Sequence, residues 1–159
     1  MKRIELDLKN KSVLVTGGNR GIGLAIALGF AGEGANVAIC GRDHGALESA
    51  KGQISALGVK AHAIAADLFT AEGCTQAIEE TASTLERLDI LVSNASTNIG
   101  GTLETLSDEQ ALERVMGKTL AAMRLSRASL PHLRKAGGGR IICIGGTAAR
   151  TPAKTSLPS

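Results

Sequence analysis

Residues 16–23, Thr-Gly-Gly-Asn-Arg-Gly-Ile-Gly, are the stretch of this chain whose types and spacing point most directly to chemistry. They join a short apolar run to a helical one. Glycines at such a junction allow a sharp turn and a close backbone approach, and the start of the helix offers unpaired N–H groups and a positive dipole to a phosphate. The spacing is G-x-x-x-G-x-G. It is not a Walker loop, because no Lys-Ser or Lys-Thr follows the last glycine, and it is not G-x-G-x-x-G. A close-packed strand-to-helix turn without ligand is the alternative reading of the same residues. Other reactive side chains are scattered. His44, His62 and His132 have no metal-ligand spacing and read as surface or packing residues. Cys40, Cys74 and Cys143 are odd in number and set in apolar surroundings, which suggests neither a disulfide framework nor a zinc site. There is no tyrosine, so no phenol within this chain can donate or accept a proton. Two Phe and no Trp leave no platform for stacking single-stranded bases.

The elements that must position the glycine turn follow from hydrophobic period. With 159 residues, 43% of them hydrophobic and 21% charged, the chain has the makings of one soluble domain. A net charge of +3, from 18 basic and 15 acidic side chains, gives no large field to attract nucleic acid or a membrane surface. The N-terminus lacks the apolar segment of a secretory signal, and the longest apolar stretch, 22–31, is broken by Gly23 and Gly29. These features predict a cytoplasmic protein. Short apolar runs at 12–16, 36–40, 60–66, 89–93 and 140–145 read as strands. Between them, 21–32 is apolar on nearly all sides and predicts a buried helix, and 43–57 carries Leu47, Ala50, Ile54 and Leu57 at helical spacing before a stop at Gly58. Thr70 can cap a third helix with Cys74, Ala77, Ile78, Thr81, Leu85 and Leu88 on one face. Ser107 with Gln110 forms a capping-box start for one long helix to about Arg134, striped by Leu112, Val115, Met116, Leu120, Met123, Arg127 and Leu130. Strands alternating with helices predict a parallel, doubly wound α/β sheet in three layers, with ligands beyond the carboxyl ends of the strands. No repeat or linker divides 1–159, so a single domain is expected.

Four features together resemble the short-chain dehydrogenase/reductase family in its Rossmann form: Thr16-Gly17-x-x-x-Gly21-x-Gly23, Asp67-Leu68 after the third strand, Asn94-Ala95 after the fourth, and Leu130-Pro131-His132-Leu133 before the fifth. Ser96 stands where the family more often has glycine. The resemblance implies that Gly17, Asn19, Gly21 and Ile22 cradle a cofactor pyrophosphate, with Gly23 completing the motif. It implies that Asp67 and Leu68 hold the adenine, and that Asn94 and Ala95 line the adenosine ribose and brace the central strand. The second strand then selects the dinucleotide. An NAD site places Asp or Glu about 20 residues after the glycine motif, to bind the ribose 2′-OH. Here that position is Gly41, followed by Arg42, and Arg20 lies in the glycine loop. Two guanidiniums suited to a 2′-phosphate, and no carboxylate against it, predict NADP(H). An S-adenosylmethionine methyltransferase shares the glycine turn but wants an acid near Gly41 and does not predict Asn94-Ala95 or Arg42.

In the resembling family a Tyr donates the proton during carbonyl reduction, a nearby Lys lowers its pKa from about 10 toward neutrality, a Ser polarises the carbonyl, and an Asn on the long helix positions the Lys. Counted from Leu130-Pro131, the Asn position is Lys118. Counted from the fifth strand, the Ser position is Gly146, with Thr147 beside it as a possible hydroxyl, and the Tyr position coincides with Ser159. Lys118 falls about 120° from the centre of the helix's apolar stripe, where a solvated or partly snorkelling lysine is the plain reading and an ammonium turned into the site the functional one. An unpaired apolar edge at residues 141–144 further suggests that 1–159 is part of a longer chain. The implied activity is an NADP(H)-dependent oxidoreductase acting on a small carbonyl or alcohol, as a homodimer or homotetramer packed through the long helix. The alternative is an NADP(H)-binding protein without catalysis, since the Asn and Ser positions are both substituted.

Overall fold

The computed structural model describes residues 5–97, 101–102 and 104–146. The chain alternates strand and helix: β1 (Ser12–Thr16), α1 (Gly21–Gly32), β2 (Asn36–Gly41), α2 (His44–Ser55), β3 (Ala61–Ala65), α3 (Ala71–Thr84), β4 (Ile90–Ser93), α4 (Asp108–Val115), α5 (Ala121–Lys135) and β5 (Arg140–Cys143). All pairings are parallel and the order across the sheet is β3-β2-β1-β4-β5. Connections run outward from β1 on both sides, so helices must cover both faces. Alternation along the strands divides the core accordingly. Val13, Val15, Val37, Ile39, Ile90 and Val92 face a layer containing Ala27, Ala31, Leu47, Ala50 and Ile54 of α1 and α2. Leu14, Ala38, Cys40 and Leu91 face Cys74, Ala77 and Ile78 of α3 and Ala121, Leu125 and Leu133 of α5. The expected three-layer Rossmann architecture is thus present.

Local signals set the helix starts. Asp43 accepts from the Ala46 N–H, Thr70 from the Gly73 N–H, and Ser107 and Gln110 close the expected capping box. Gly58, at φ +82°, ends the turn after α2, and Leu57, expected on the buried face, lies past that helix and is exposed.

Two helices differ from expectation. Helix α1 buries only one side, through Gly23, Ala27 and Ala31, while Ile22 is 67% exposed. Its small residues let it sit close to the sheet, while Leu24, Ile26, Leu28 and Phe30 are partly buried along the flanks of that contact. The expected single helix over 107–134 is interrupted by a π-helical turn, Met116–Leu120, between α4 and α5. The extra residue shifts the phase. Helix α5 packs on the sheet through Ala121, Leu125, Ser129 and Leu133, whereas Leu112, Val115, Met116, Met123 and Leu130 of the anticipated stripe are exposed.

Candidate functional site

At the carboxyl end of β1 the chain enters the glycine turn. Gly17 (φ +63°) and Gly21 (φ +55°) adopt the left-handed conformation that L side chains resist. A Cβ at Gly21 would meet no atom within 4 Å, so the turn opens onto free space there. A Cβ at Gly23 would lie 2.1 Å from the Gly17 carbonyl oxygen and 2.6 Å from Asn94 Nδ2; this glycine is required for α1 to approach the turn. Helix α1 begins without a side-chain cap and without an acid in its first turn. Its leading N–H groups are therefore left for another acceptor, unlike those of α2, α3 and α4.

The turn is braced from β4. Thr16 Oγ1, fully buried, accepts from the N–H groups of Asn94 (2.9 Å) and Ala95 (3.0 Å) and donates to the Val92 carbonyl (3.3 Å). Asn94 Nδ2 donates in return to the carbonyls of Thr16 (3.0 Å) and Gly17 (3.4 Å). Asn94 and Ala95 thus tie the central strands together, as expected. Thr16 was not singled out as a partner in this network, although a hydroxyl immediately before the first glycine of the motif was the available signal.

At the end of β2, a Cβ on Gly41 would lie 3.0 Å from Asn19 Oδ1. The Asn19 carboxamide lies beside the place where an NAD-type acid would stand. Arg20 is exposed at the N-cap of α1, and among the described residues it forms no ion pair or hydrogen bond through its guanidinium. The Arg42 guanidinium lies over the Phe69 ring, 5.7 Å from its centroid. Beyond β3, the Asp67 carboxylate is exposed and accepts from the Phe69 N–H (3.1 Å), while the Leu68 side chain is buried in the core. Phe69 was missed in sequence, though a bulky aromatic directly after Asp67-Leu68, in a chain with two Phe, was a usable cue.

Lys118 lies on the π turn and is half-buried, with Nζ donating to the carbonyls of Asn94 (3.4 Å) and Ala95 (3.5 Å). Burial holds its ammonium below the ordinary lysine range, an effect that Arg114 reinforces and Cys143 opposes. Half burial with two long contacts to backbone carbonyls agrees with the partly snorkelling form of the plain reading, and the stripe from which the 120° offset was measured is not the face that packs on the sheet. Gly146 is exposed, and a Cβ there would meet nothing within 4 Å; Thr147 and Ser159 lie outside the described residues. His62 pairs with Glu80 and His132 with Glu79 on α3, at 2.8 and 2.9 Å. Among the described residues, no three His, Cys, Asp or Glu side chains converge as a metal site, and no helix is long and apolar enough to cross a membrane.

The chain is 36% identical over 148 residues to an uncharacterized oxidoreductase of Mycobacterium tuberculosis, covering 92% of this chain and 56% of the relative. Among solved structures it resembles L-sorbose reductase from Gluconobacter frateurii complexed with NADPH and L-sorbose, with a TM-score of 0.92 and 34% identity over 97% of this chain and 59% of that one. It also resembles a 7α-hydroxysteroid dehydrogenase complexed with NADH, with a TM-score of 0.89 and 27% identity over 94% and 58% of the two chains. The neighbours thus include binders of either nicotinamide dinucleotide, and the chain spans about half the length of the curated relatives it matches. The family described as short chain dehydrogenase matches residues 11–157. With the parallel sheet and the glycine turn, that match assigns the chain: it belongs to the short-chain dehydrogenase family.

Proposed function

We infer that these residues form the nucleotide-binding portion of an NADP(H)-dependent oxidoreductase that interconverts a small carbonyl and its alcohol. The observation that carries this reading is the open turn at Gly21, with Arg20 at the N-cap of α1, together with Gly41 in place of an acid beside Asn19 and Arg42 directly after it. The uncapped N-terminus of α1, with the backbone of Gly17, Asn19, Gly21 and Ile22, receives the pyrophosphate. Asp67 and the backbone at Leu68 hold the adenine, and Asn94 and Ala95 border the ribose. Arg20 and Arg42 supply forked donors to the 2′-phosphate, for which no described acid competes at close range. When bound, the reduced cofactor supplies the hydride that a carbonyl carbon accepts. Lys118 adds a positive charge at the carboxyl end of β4, beside the same backbone that borders the ribose. The exposed stripe on α4 and α5 offers a surface to a second copy, in a homodimer or homotetramer, and a cytoplasmic location is part of the same proposal. That the L-sorbose reductase neighbour is a reductase favours the enzyme over a silent nucleotide binder.

The test is direct titration with NADPH and NADH, followed through nicotinamide fluorescence. NADPH should bind at least about tenfold more tightly, equivalent to about 1.4 kcal/mol, and the Arg20→Ala, Arg42→Ala double variant should abolish that difference. Equal affinities, or tighter NADH, would overturn the assignment. NADPH oxidation against a panel of ketones and aldehydes then tests the activity.

A further inference from the structure

Phe69 is anchored at three points. Its N–H donates to Asp67 Oδ1 (3.1 Å), its carbonyl accepts from Arg124 Nη1 of α5 (2.9 Å), and its ring tip abuts the π turn. A Cβ on Gly117 would stand 2.7 Å from Phe69 Cζ and 2.9 Å from Cε1, so the ring occupies the space that a glycine leaves. The ring's face is turned to Arg42. Among the described residues the exposed Arg42 guanidinium has this ring contact and no ion pair or hydrogen bond. A cation drawn over a ring face by the ring quadrupole keeps its N–H groups available to an incoming anion, and a donor whose range is narrowed loses less freedom on binding than an unrestrained one.

We propose that Phe69 is a specificity-determining positioning residue: wedged against Gly117, its ring holds the Arg42 guanidinium in place for the 2′-phosphate of the dinucleotide. The proposal rests on the NADP(H) reading above. It links Arg42, just past β2, through Phe69 to Gly117 of the π turn and Arg124 of α5.

The experiment compares 2′,5′-ADP with 5′-AMP, calorimetrically, on the whole protein carrying Phe69→Ala, Phe69→Leu, Phe69→Tyr, Arg42→Ala and Phe69→Leu with Arg42→Ala. Leu preserves bulk without a π face and guards against a folding defect in the Ala variant. Loss of the ring, or its displacement by a Tyr hydroxyl driven against Gly117, should weaken 2′,5′-ADP about two- to fivefold and leave 5′-AMP unchanged. The Phe69→Leu change should add nothing once Arg42 is absent. A parallel loss for both nucleotides, an additive effect in the double variant, or no loss at all would overturn the proposal. If wild type does not prefer 2′,5′-ADP, or Arg42→Ala leaves the preference intact, the NADP(H) reading itself fails. If Arg42→Ala removes the preference and the Phe69 variants keep it, only the positioning role fails.

Discussion

The two ends of the sheet handle charge in opposite ways. At the amino end, Asp89, whose side chain is only 4% exposed, accepts from the Ser12 N–H (2.9 Å) and Arg87 Nε (2.7 Å) and pairs with Lys11 (3.4 Å). Its own N–H donates to the Ser12 carbonyl and its carbonyl accepts from the Arg140 N–H, so one residue clasps β1, β4 and β5. At the carboxyl end, Arg20 and Arg42 have no described carboxylate, the start of α1 has no cap, and Lys118 rests on backbone carbonyls. The cations at one end are paired with a carboxylate, and those at the other have none among the described residues. Substitutions at the amino end should therefore cost stability without touching nucleotide choice, and at the carboxyl end the cost should fall on binding, except where backbone meets backbone.

The exception carries the largest expected effect. Gly23→Ala places a methyl 2.1 Å from the Gly17 carbonyl oxygen, which can withdraw only by breaking its contact with Asn94. A loss of about 3 kcal/mol in stability is expected, together with more than tenfold weaker NADPH binding. Denaturant melts and nicotinamide fluorescence measure the two. A variant as stable as wild type would show that the turn has slack and that the brace from β4 is dispensable.

Next in size is Asp89→Asn, which keeps shape but removes the charge facing Arg87 and Lys11; about 2 kcal/mol should be lost. Burial alone would raise the Asp89 carboxyl, but hydrogen bonds from Arg87 and Ser12 and the charges of Arg87 and Lys11 hold it below the usual carboxylate range. A carboxyl depressed in the fold stabilises fully above its unfolded value near 3.8 and loses that contribution as pH falls through its lower folded value. Acid denaturation monitored by circular dichroism should thus begin at higher pH in the variant at equal temperature, while the NADPH to NADH affinity ratio stays at the wild-type value. A changed ratio would break the division between the two ends.

The same division explains what could be read from sequence. The turn, the caps and the strands are local: Thr70 before Gly73, Ser107 before Gln110 and the valines of β1 carry their signals within a few residues. Which face of α4–α5 meets the sheet is not local. It depends on a π turn that shifts the phase at residue 116, and the buried positions Ala121, Leu125, Ser129 and Leu133 include residues too small or polar to outweigh an exposed stripe of Leu and Met. Phe69 was missed, and Lys118 gave two readings with nothing in the sequence to choose between them: the contacts of both cross the gap between α4–α5 and the strand ends, and no spacing in the chain encodes that distance.

The smallest expected effect concerns Lys118 and is visible mainly as a slope. A lysine lowered by burial is charged less readily in the fold than in the unfolded chain, so between its folded value and the ordinary 10.5 the unfolded state binds more protons and stability rises with pH. Cys40 works oppositely. Burial pushes its thiol from 9.0 up to about 12, so above pH 9.0 the unfolded thiolate draws the equilibrium away from the fold by as much as about 1.4 kcal/mol per pH unit. Wild type should therefore weaken on going to alkaline pH, with Lys118 offsetting part of the loss. Lys118→Met should change stability by only about 0.5 kcal/mol at pH 7 yet fall more steeply than wild type from pH 9 to 10.5 in urea titrations. Cys143 on β5 and Arg114 on α4 are the groups whose charges act on this lysine, and the substitution leaves both in place. Parallel slopes for the two proteins would mean that the ammonium is as well solvated in the fold as in the unfolded chain, and that the carboxyl end of β4 carries no desolvated charge for a ligand to meet.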